Sequence, residues 1–361
     1  MTHQQLTIAG VNARAVMATL VRPIRTAVGA IPAAPLVLID VATREGVVGS
    51  AYILAYTPTA LPALRRLVAD IGAELKGQPL APRETMRRFD RRFRLLGWQG
   101  LVGMAVSGLD MALWDALGRA ADLPVVQLLG GATRPLDAYD SFGVVDLKCD
   151  AEALSQSVAS GFTAIKIKVG DGDLARDVDA VRAVREIVGA DVRLMVDFNQ
   201  SLDAPEAVRR IGRLSDFDLH WVEEPVKAED LLGHARVRES SRAKIQTGEN
   251  WWFPTNMAGA IALGASDHVM PDVMKIGGVT GWMAAASLAD AAGLPVSSHI
   301  FAETSSHLMA VTPTAHLVEW LDIAGAILAD PMTPIDGRIT PRWPGLGMAW
   351  DAAAAARYAA E

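Results

Sequence analysis

The chain has 361 residues, 51% of them hydrophobic and 21% charged, which suits a packed globular protein with one large and one smaller domain. A net charge of -7 without a basic cluster excludes nucleic acid as an expected partner. The single Cys149 excludes an intrachain disulfide, the start Met1-Thr2-His3-Gln4-Gln5 lacks the regions of a signal peptide, and no apolar run reaches the ~18 residues of a membrane span, so a cytoplasmic protein without membrane contact is expected.

Residues 5–56 read as an antiparallel meander: Gln5 to Leu20 is rich in Ile, Val and Thr, and Leu36-Val37-Leu38-Ile39-Asp40 precedes Gly46-Val47-Val48-Gly49. Between these runs, residues 23–32 form a Pro- and Gly-bounded loop with several apolar residues, expected to pack on its own domain. Over residues 58–121 the period becomes helical, with Leu61, Leu64, Leu67, Val68 and Ile71 in one stripe and Val102, Ala105, Leu109, Leu113 and Leu117 in another. Strands followed by helices make residues 1–130 an α+β capping domain, and Gly130-Gly131 and Pro135 mark its end.

From Pro135 onward, strand-like runs alternate with helical segments: 136–141, 164–169, 193–199, 220–225, 244–249, 268–272, 295–300 and 315–320. Eight β/α units argue for a (β/α) barrel over residues 131–330. The prolines of residues 331–361 break the repeat, and this segment is expected to return to the capping domain.

A barrel carries its active site at the C-terminal ends of its strands. Those ends hold Ser141, Lys166 and Lys168, Asp197 and Asn199, Glu223, Glu249, Asp272, His299 and Glu319, with gaps from Lys168 of 29, 26, 26, 23, 27 and 20 residues. Singly, each has an ordinary explanation as a helix cap, a surface charge or a satisfied histidine. Those explanations do not predict an ionisable residue at every strand end from the second to the eighth.

Asp197, Glu223 and Glu249 end neighbouring strands, and three ionised carboxylates at one point require a cation. A ligand set made only of oxygen favours Mg²⁺, with Mn²⁺ as a substitute. Lys166 and Lys168 share one face of a strand, so their mutual repulsion is expected to lower a lysine pKa toward that of a usable base. Asp272 and His299 suit a hydrogen bond that fixes the imidazole tautomer. A lysine on one side and a histidine on the other can remove a proton α to a carboxylate from one face and return it on the opposite face. Mg²⁺, Lys168 and a protonated Glu319 of raised pKa would stabilise the resulting enediolate.

Lys166-Ile167-Lys168, Asp197-Phe198-Asn199, Glu223-Glu224-Pro225, Gly248-Glu249-Asn250, Met270-Pro271-Asp272 and Ser298-His299, with Arg25-Thr26-Ala27-Val28-Gly29 and Tyr139-Asp140-Ser141, closely resemble the mandelate racemase/muconate lactonizing enzyme family of the enolase superfamily. The resemblance runs over nearly the whole chain. It implies a modified (β/α)8 barrel, (β/α)7β, capped by an α+β domain built from the N-terminal region and the C-terminal tail. It also implies Mg²⁺ on Asp197, Glu223 and Glu249, Lys166 as base for the (S)-enantiomer and His299, paired with Asp272, as base for the (R)-enantiomer. Lys168 and Glu319 would hold the substrate carboxylate with help from Ser141, and Asn199 would contact the α-hydroxyl. The positions matching the racemases' aryl pocket are Ile24, Ile31, Leu54, Tyr56, Ile300 and Leu321, almost all apolar. The apolar loop would then be a lid over the ring, and Arg25 in it is either solvated or faces a second anion.

The activity expected is racemisation of mandelate or a related 2-hydroxy-2-aryl acid by a small-molecule enzyme that is a homo-oligomer, as relatives commonly are. An acid-sugar dehydratase on the same scaffold is the alternative, and a non-catalytic barrel is the third reading. Glu224 is assigned a structural place only.

Overall fold

The β-branched runs of the first fifty residues pair antiparallel as β1 (Ile8–Thr26), β2 (Gly29–Thr43) and β3 (Val48–Leu54). The computed structural model describes residues 5–26, 29–170 and 172–360. The expectations for Met1 to Gln4 and for Ala27 and Val28 of the loop therefore lie outside the described residues.

The segment expected as a loop at 23–32 is instead the tip of the β1–β2 hairpin. After an irregularity between Thr19 and Ile24, pairing resumes with Ile24 opposite Ile31, Arg25 opposite Ala30 and Thr26 opposite Gly29. Pro23 and Pro32 do not stop it, because proline interrupts a ladder only where its missing N–H is needed.

Helices Leu61–Ala73 and Leu101–Ala121 pack against this sheet, and Pro82–Phe93 packs on Leu101–Ala121. Leu101–Ala121, with a mean hydropathy of 1.3, is long and apolar enough to span a membrane, which differs from the expectation, but 83% of its apolar window is buried inside the protein. Its two buried acids tie neighbouring parts to it. Asp115 accepts from the Ser50 and Leu346 backbone N–H groups at 2.7 and 2.6 Å, and Asp110 accepts from the Thr280 N–H at 2.8 Å.

The second sheet consists of β4 (Leu136–Val144), β5 (Ala164–Lys168), β6 (Arg193–Asp197), β7 (Leu219–Glu223), β8 (Ile245–Thr247), β9 (His268–Val269) and β10 (Val318–Trp320), all parallel in the order β10-β4-β5-β6-β7-β8-β9. Ile165 and Ile167 face outward into a layer with Val181 and Val184 of helix Leu174–Val188, whereas Tyr139, Ala164, Met195, Trp221 and Leu317 form a separate inner cluster. The strand expected at 295–300 is reduced to isolated parallel bridges, with Val296 opposite both Val269 and Ala315. There the Ser298 hydroxyl accepts from the Glu319 N–H at 3.0 Å, so a side chain interrupts the backbone ladder as the sheet closes.

β11 (Arg338–Ile339) runs antiparallel to the start of β4, and β12 (Ala359–Ala360) pairs with Ala15 and Val16 of β1. The tail thus passes the base of the barrel and ends on the capping sheet.

Candidate active site

Strand register explains why distant charges meet. Lys168 lies opposite Asp197, and Asp197 lies opposite Glu223, so three charged ends of β5, β6 and β7 stand at one level. Glu249 joins them two residues beyond β8. One carboxylate oxygen from each of Asp197, Glu223 and Glu249 falls within 4.8 Å of the other two, and all three side chains are buried. Burial pushes the Glu223 carboxyl up to about 8, and Asp197, Glu249 and Glu319 push the same way against Lys166. Burial would raise Asp197 too, but Lys168 and Lys166 hold it below its ordinary value. Such a set of converging hard oxygen donors, strained when left without a cation, fits a dication of the Mg²⁺ kind.

Lys166 is fully buried, pairs with Glu223 and lies 3.0 Å from Glu319. The expected depression of its pKa is not found. Burial lowers it, but Glu223 and Glu319 outweigh that and raise it well above the ordinary lysine value. Lys168 is also raised: burial and Lys166 lower it, while Asp197 at 2.8 Å prevails. Lys168 donates to the Asn199 side chain as well, and Asn199 is exposed at the barrel mouth.

Across the barrel, His299 Nδ1 lies 2.6 Å from Asp272 and its Nε2 3.3 Å from Glu249. Burial opposes the imidazolium, but Glu249 and Asp272 bring its pKa up to about 9. The Asp272–His299 pair expected from the strand ends is therefore present, with the backbones bridged at those two residues.

Glu319 corrects an expectation. Burial would keep it protonated, yet Lys166, His299 and the Ile300 N–H, donating at 2.8 Å, bring it down to about 2. It is an ionised carboxylate that also bonds Ser141, whose backbone lies opposite Lys166 in register.

Of the apolar positions, Ile24 and Ile31 face each other across the hairpin tip, and Ile24 shares a narrow cleft with Ser141 and Leu321. Ile300 is buried beside Glu319, and Leu54 packs against the core. Tyr56 stands at the end of β3, 44% exposed, with Lys275 Nζ 4.7 Å from its ring centre. Arg25, half-buried, has its charge matched: it pairs with Asp150 and donates to the Val144 carbonyl at 3.3 Å. Arg22 adds a second clamp, donating to Asp140 at 2.6 Å and to the Ser141 carbonyl at 2.8 Å. Gly143 permits the close approach, since a Cβ there would stand 2.3 Å from the Arg25 carbonyl oxygen.

Residues 8–130 match the mandelate racemase/muconate lactonizing enzyme N-terminal domain, and residues 149–354 match the enolase C-terminal domain-like family. The chain belongs to the mandelate racemase/muconate lactonizing enzyme family of the enolase superfamily. A crystal structure of an enolase from Bradyrhizobium complexed with magnesium and mandelic acid is 56% identical, with a TM-score of 0.98 over 100% of both chains. Among characterised relatives, the 3,6-anhydro-alpha-L-galactonate cycloisomerase of Streptomyces coelicolor is 36% identical over 72% of this chain and 73% of its own. The L-talarate/galactarate dehydratase of Salmonella typhimurium is 33% identical over 68% of this chain and 62% of its own.

Glu224, given a structural place from the sequence, supports a hydrogen-bonded group next to the triad. Glu224 is fully buried and accepts from Asn250 at 2.9 Å on both oxygens, Asn250 also reaches Glu249 at 3.3 Å, and Lys275 donates to Asn250 at 2.5 Å. Burial and Glu249 raise Glu224 well above the usual carboxylate range. Its only sequence signal was adjacency to Glu223. Glu224, Asn199, Tyr56 and the β-branched Ile300 all have positive φ, of 37°, 43°, 59° and 36°, so backbone strain concentrates around the site.

Proposed function

We propose that this enolase-superfamily enzyme is a Mg²⁺-dependent racemase of mandelate or a related 2-hydroxy-2-aryl acid. The observation that carries this reading is the placement of Lys166 and the Asp272–His299 pair on either side of the carboxylate triad, beneath an apolar hairpin tip. The 56% identity to a protein bound to magnesium and mandelic acid supports it.

Mg²⁺ held by Asp197, Glu223 and Glu249 would supply charge stabilisation for the enediolate and draw off the carboxylate charge that keeps Lys166 and His299 protonated. Lys166 takes the α-proton of the (S)-enantiomer while His299, protonated, returns one to the opposite face. The reverse reaction exchanges their roles. Lys168 holds the substrate carboxylate, and Asn199 contacts the α-hydroxyl. A substrate carboxylate arriving near Glu319 adds like charge, which raises Glu319 from its value near 2 and lets it become a donor in the complex. Ser141 orients it. Ile24, Ile31, Leu54, Tyr56, Ile300 and Leu321 surround the ring. We place the enzyme in the cytoplasm as a homo-oligomer.

The test is incubation of each mandelate enantiomer with enzyme and Mg²⁺ in D₂O. Loss of optical rotation with α-deuterium uptake is expected, and turnover to a 2-keto acid would overturn the reading. The dehydratase relative at 33% identity favours a second reading, in which His299 acts as acid to expel a β-hydroxyl from an acid sugar. Semicarbazide-reactive product from aldarates or aldonates would establish it. The apolar hairpin argues for the racemase.

A further inference from the structure

We propose that His220, His268 and His316 form a second metal site, for a borderline transition-metal dication such as Zn²⁺, at the end of the barrel opposite the carboxylate triad. His220 is the second residue of β7, three residues and about 10 Å along the strand from Glu223. His268 opens β9, and His316 lies two residues before β10.

His220 Nε2 and His316 Nε2 are 3.2 Å apart and share a hydrogen bond, whose proton a metal would replace. Two imidazole nitrogens on a tetrahedral zinc, each at about 2.05 Å, stand about 3.3 Å apart, and their ring centres about 5 Å apart. Ring centres are 5.1 Å apart for His220 and His316, 5.1 Å for His268 and His316, and 6.1 Å for His220 and His268. The Trp221 indole packs against all three. His268 is nine-tenths buried and its Nδ1 has no hydrogen-bond partner. Among the described residues only the carboxylate triad has its ligand atoms gathered within 4.8 Å, so the new site requires His268 to turn its ring toward the other two.

Burial keeps His220 and His316 neutral, at about 4 and 3, with Arg193 and the neighbouring imidazoles pushing the same way, and neutral imidazole is the form that ligates. Arg193 and Lys244 disfavour a cation there, while Asp218 and Asp267 favour it. The consequence is mechanical. β9 and β10 are joined through isolated bridges at Val296, and a metal on these three residues would tie β7, β9 and the approach to β10 across that seam.

The experiment titrates Zn²⁺ into the full chain with Mg²⁺ in excess to occupy the carboxylates. One Zn²⁺ per chain is expected, with nitrogen ligation in the Zn K-edge spectrum of the wild-type protein. His220→Gln and His316→Asn should each weaken binding by about tenfold or more, with Mg²⁺-dependent α-proton exchange unchanged. Zn²⁺ that excess Mg²⁺ displaces, oxygen-only ligation, or undiminished affinity in both variants would overturn the proposal.

Discussion

Replacing Lys166 with Ala separates two contributions that the structure ties to one ammonium. The first belongs to one hand of the substrate. Without its base, (S)-mandelate should lose α-proton exchange by about 10²- to 10⁴-fold, the usual contribution of a positioned general base. His299 is untouched, its Nδ1 still 2.6 Å from Asp272, so exchange of the (R)-enantiomer should survive. The second contribution affects both hands. Lys166 is the group that counters burial and three neighbouring carboxylates at Glu223, and even with it Glu223 reaches about 8. Removing it drives Glu223 further up but also takes away an ammonium that competes with a dication for that carboxylate, so the triad should hold Mg²⁺ more tightly once Glu223 is deprotonated. Exchange of the (R)-enantiomer should therefore saturate at lower Mg²⁺ than in the wild type, while (S)-exchange stays low throughout the series. The assay is α-deuterium uptake from D₂O by each enantiomer, followed by NMR across a Mg²⁺ series. Equal loss for both hands at saturating Mg²⁺ would refute the division of labour between Lys166 and His299.

Because Glu223 sits at about 8 without metal, Mg²⁺ binding near pH 7 should release close to one proton, and affinity should rise between pH 6 and 8; calorimetry in buffers of different ionisation enthalpy measures this, and proton uptake would contradict it. Glu319 is depressed from 4.5 to about 2, which at about 1.36 kcal/mol per pH unit is about 3 kcal/mol of stability in the metal-free protein. A depressed carboxylate contributes fully above its unfolded value and loses that contribution as pH falls from 4.5 toward 2. Glu319→Gln should therefore lower the denaturation midpoint at pH 7 and narrow the gap to wild type in that acid window; an unchanged midpoint at pH 7 would mean Glu319 is already neutral there. Lys168→Met should weaken substrate binding and exchange for both enantiomers alike, read as matched changes in kcat/KM, and a loss confined to one hand would count against its role in holding charge. Gly143→Ala places a methyl 2.3 Å from the Arg25 carbonyl oxygen, lifting the hairpin tip, so KM should rise more than kcat falls; wild-type KM would show that the tip does not cover the substrate.

The positions of the three carboxylates able to hold a metal were legible because a barrel converts sequence spacing into geometry. Asp197 and Glu223 each end a short apolar strand, parallel register sets them side by side, and Glu249 follows its own strand closely enough to converge. Lys166 and Lys168 were legible through alternation alone, since Ile165 and Ile167 must enter the helix-facing layer. Protonation was not legible, because it is a property of the assembled cluster. Glu319 is ionised through Lys166 from β5, His299 from the closing segment and the Ile300 backbone, and none of these is near it in sequence except by the fold. Lys166 is raised for the same reason: Lys168 is its neighbour along the strand, but Glu223 and Glu319 are its neighbours in space.

The hairpin shows a third limit. Pro23 and Pro32 argued for a loop on local grounds, yet the ladder resumes at Ile24 and Ile31 because distant partners hold the tip down. Arg25 meets Asp150 and Arg22 meets Asp140, each pairing the hairpin with β4 or the segment after it, and Gly143 lets the two backbones touch. These clamps bear on specificity. They fix Ile24, which lies opposite Ile31 in the hairpin, in the cleft with Ser141 and Leu321 and leave Arg25 with its charge already matched by Asp150. An arginine so occupied is not free to greet a second carboxylate at that edge of the site. A monocarboxylate therefore suits the clamped tip better than a dicarboxylate sugar acid, so the salt bridge on the capping domain counts against aldarates, whereas aldonates, themselves monocarboxylates, are separated from aryl acids only by the apolar positions around Ile24.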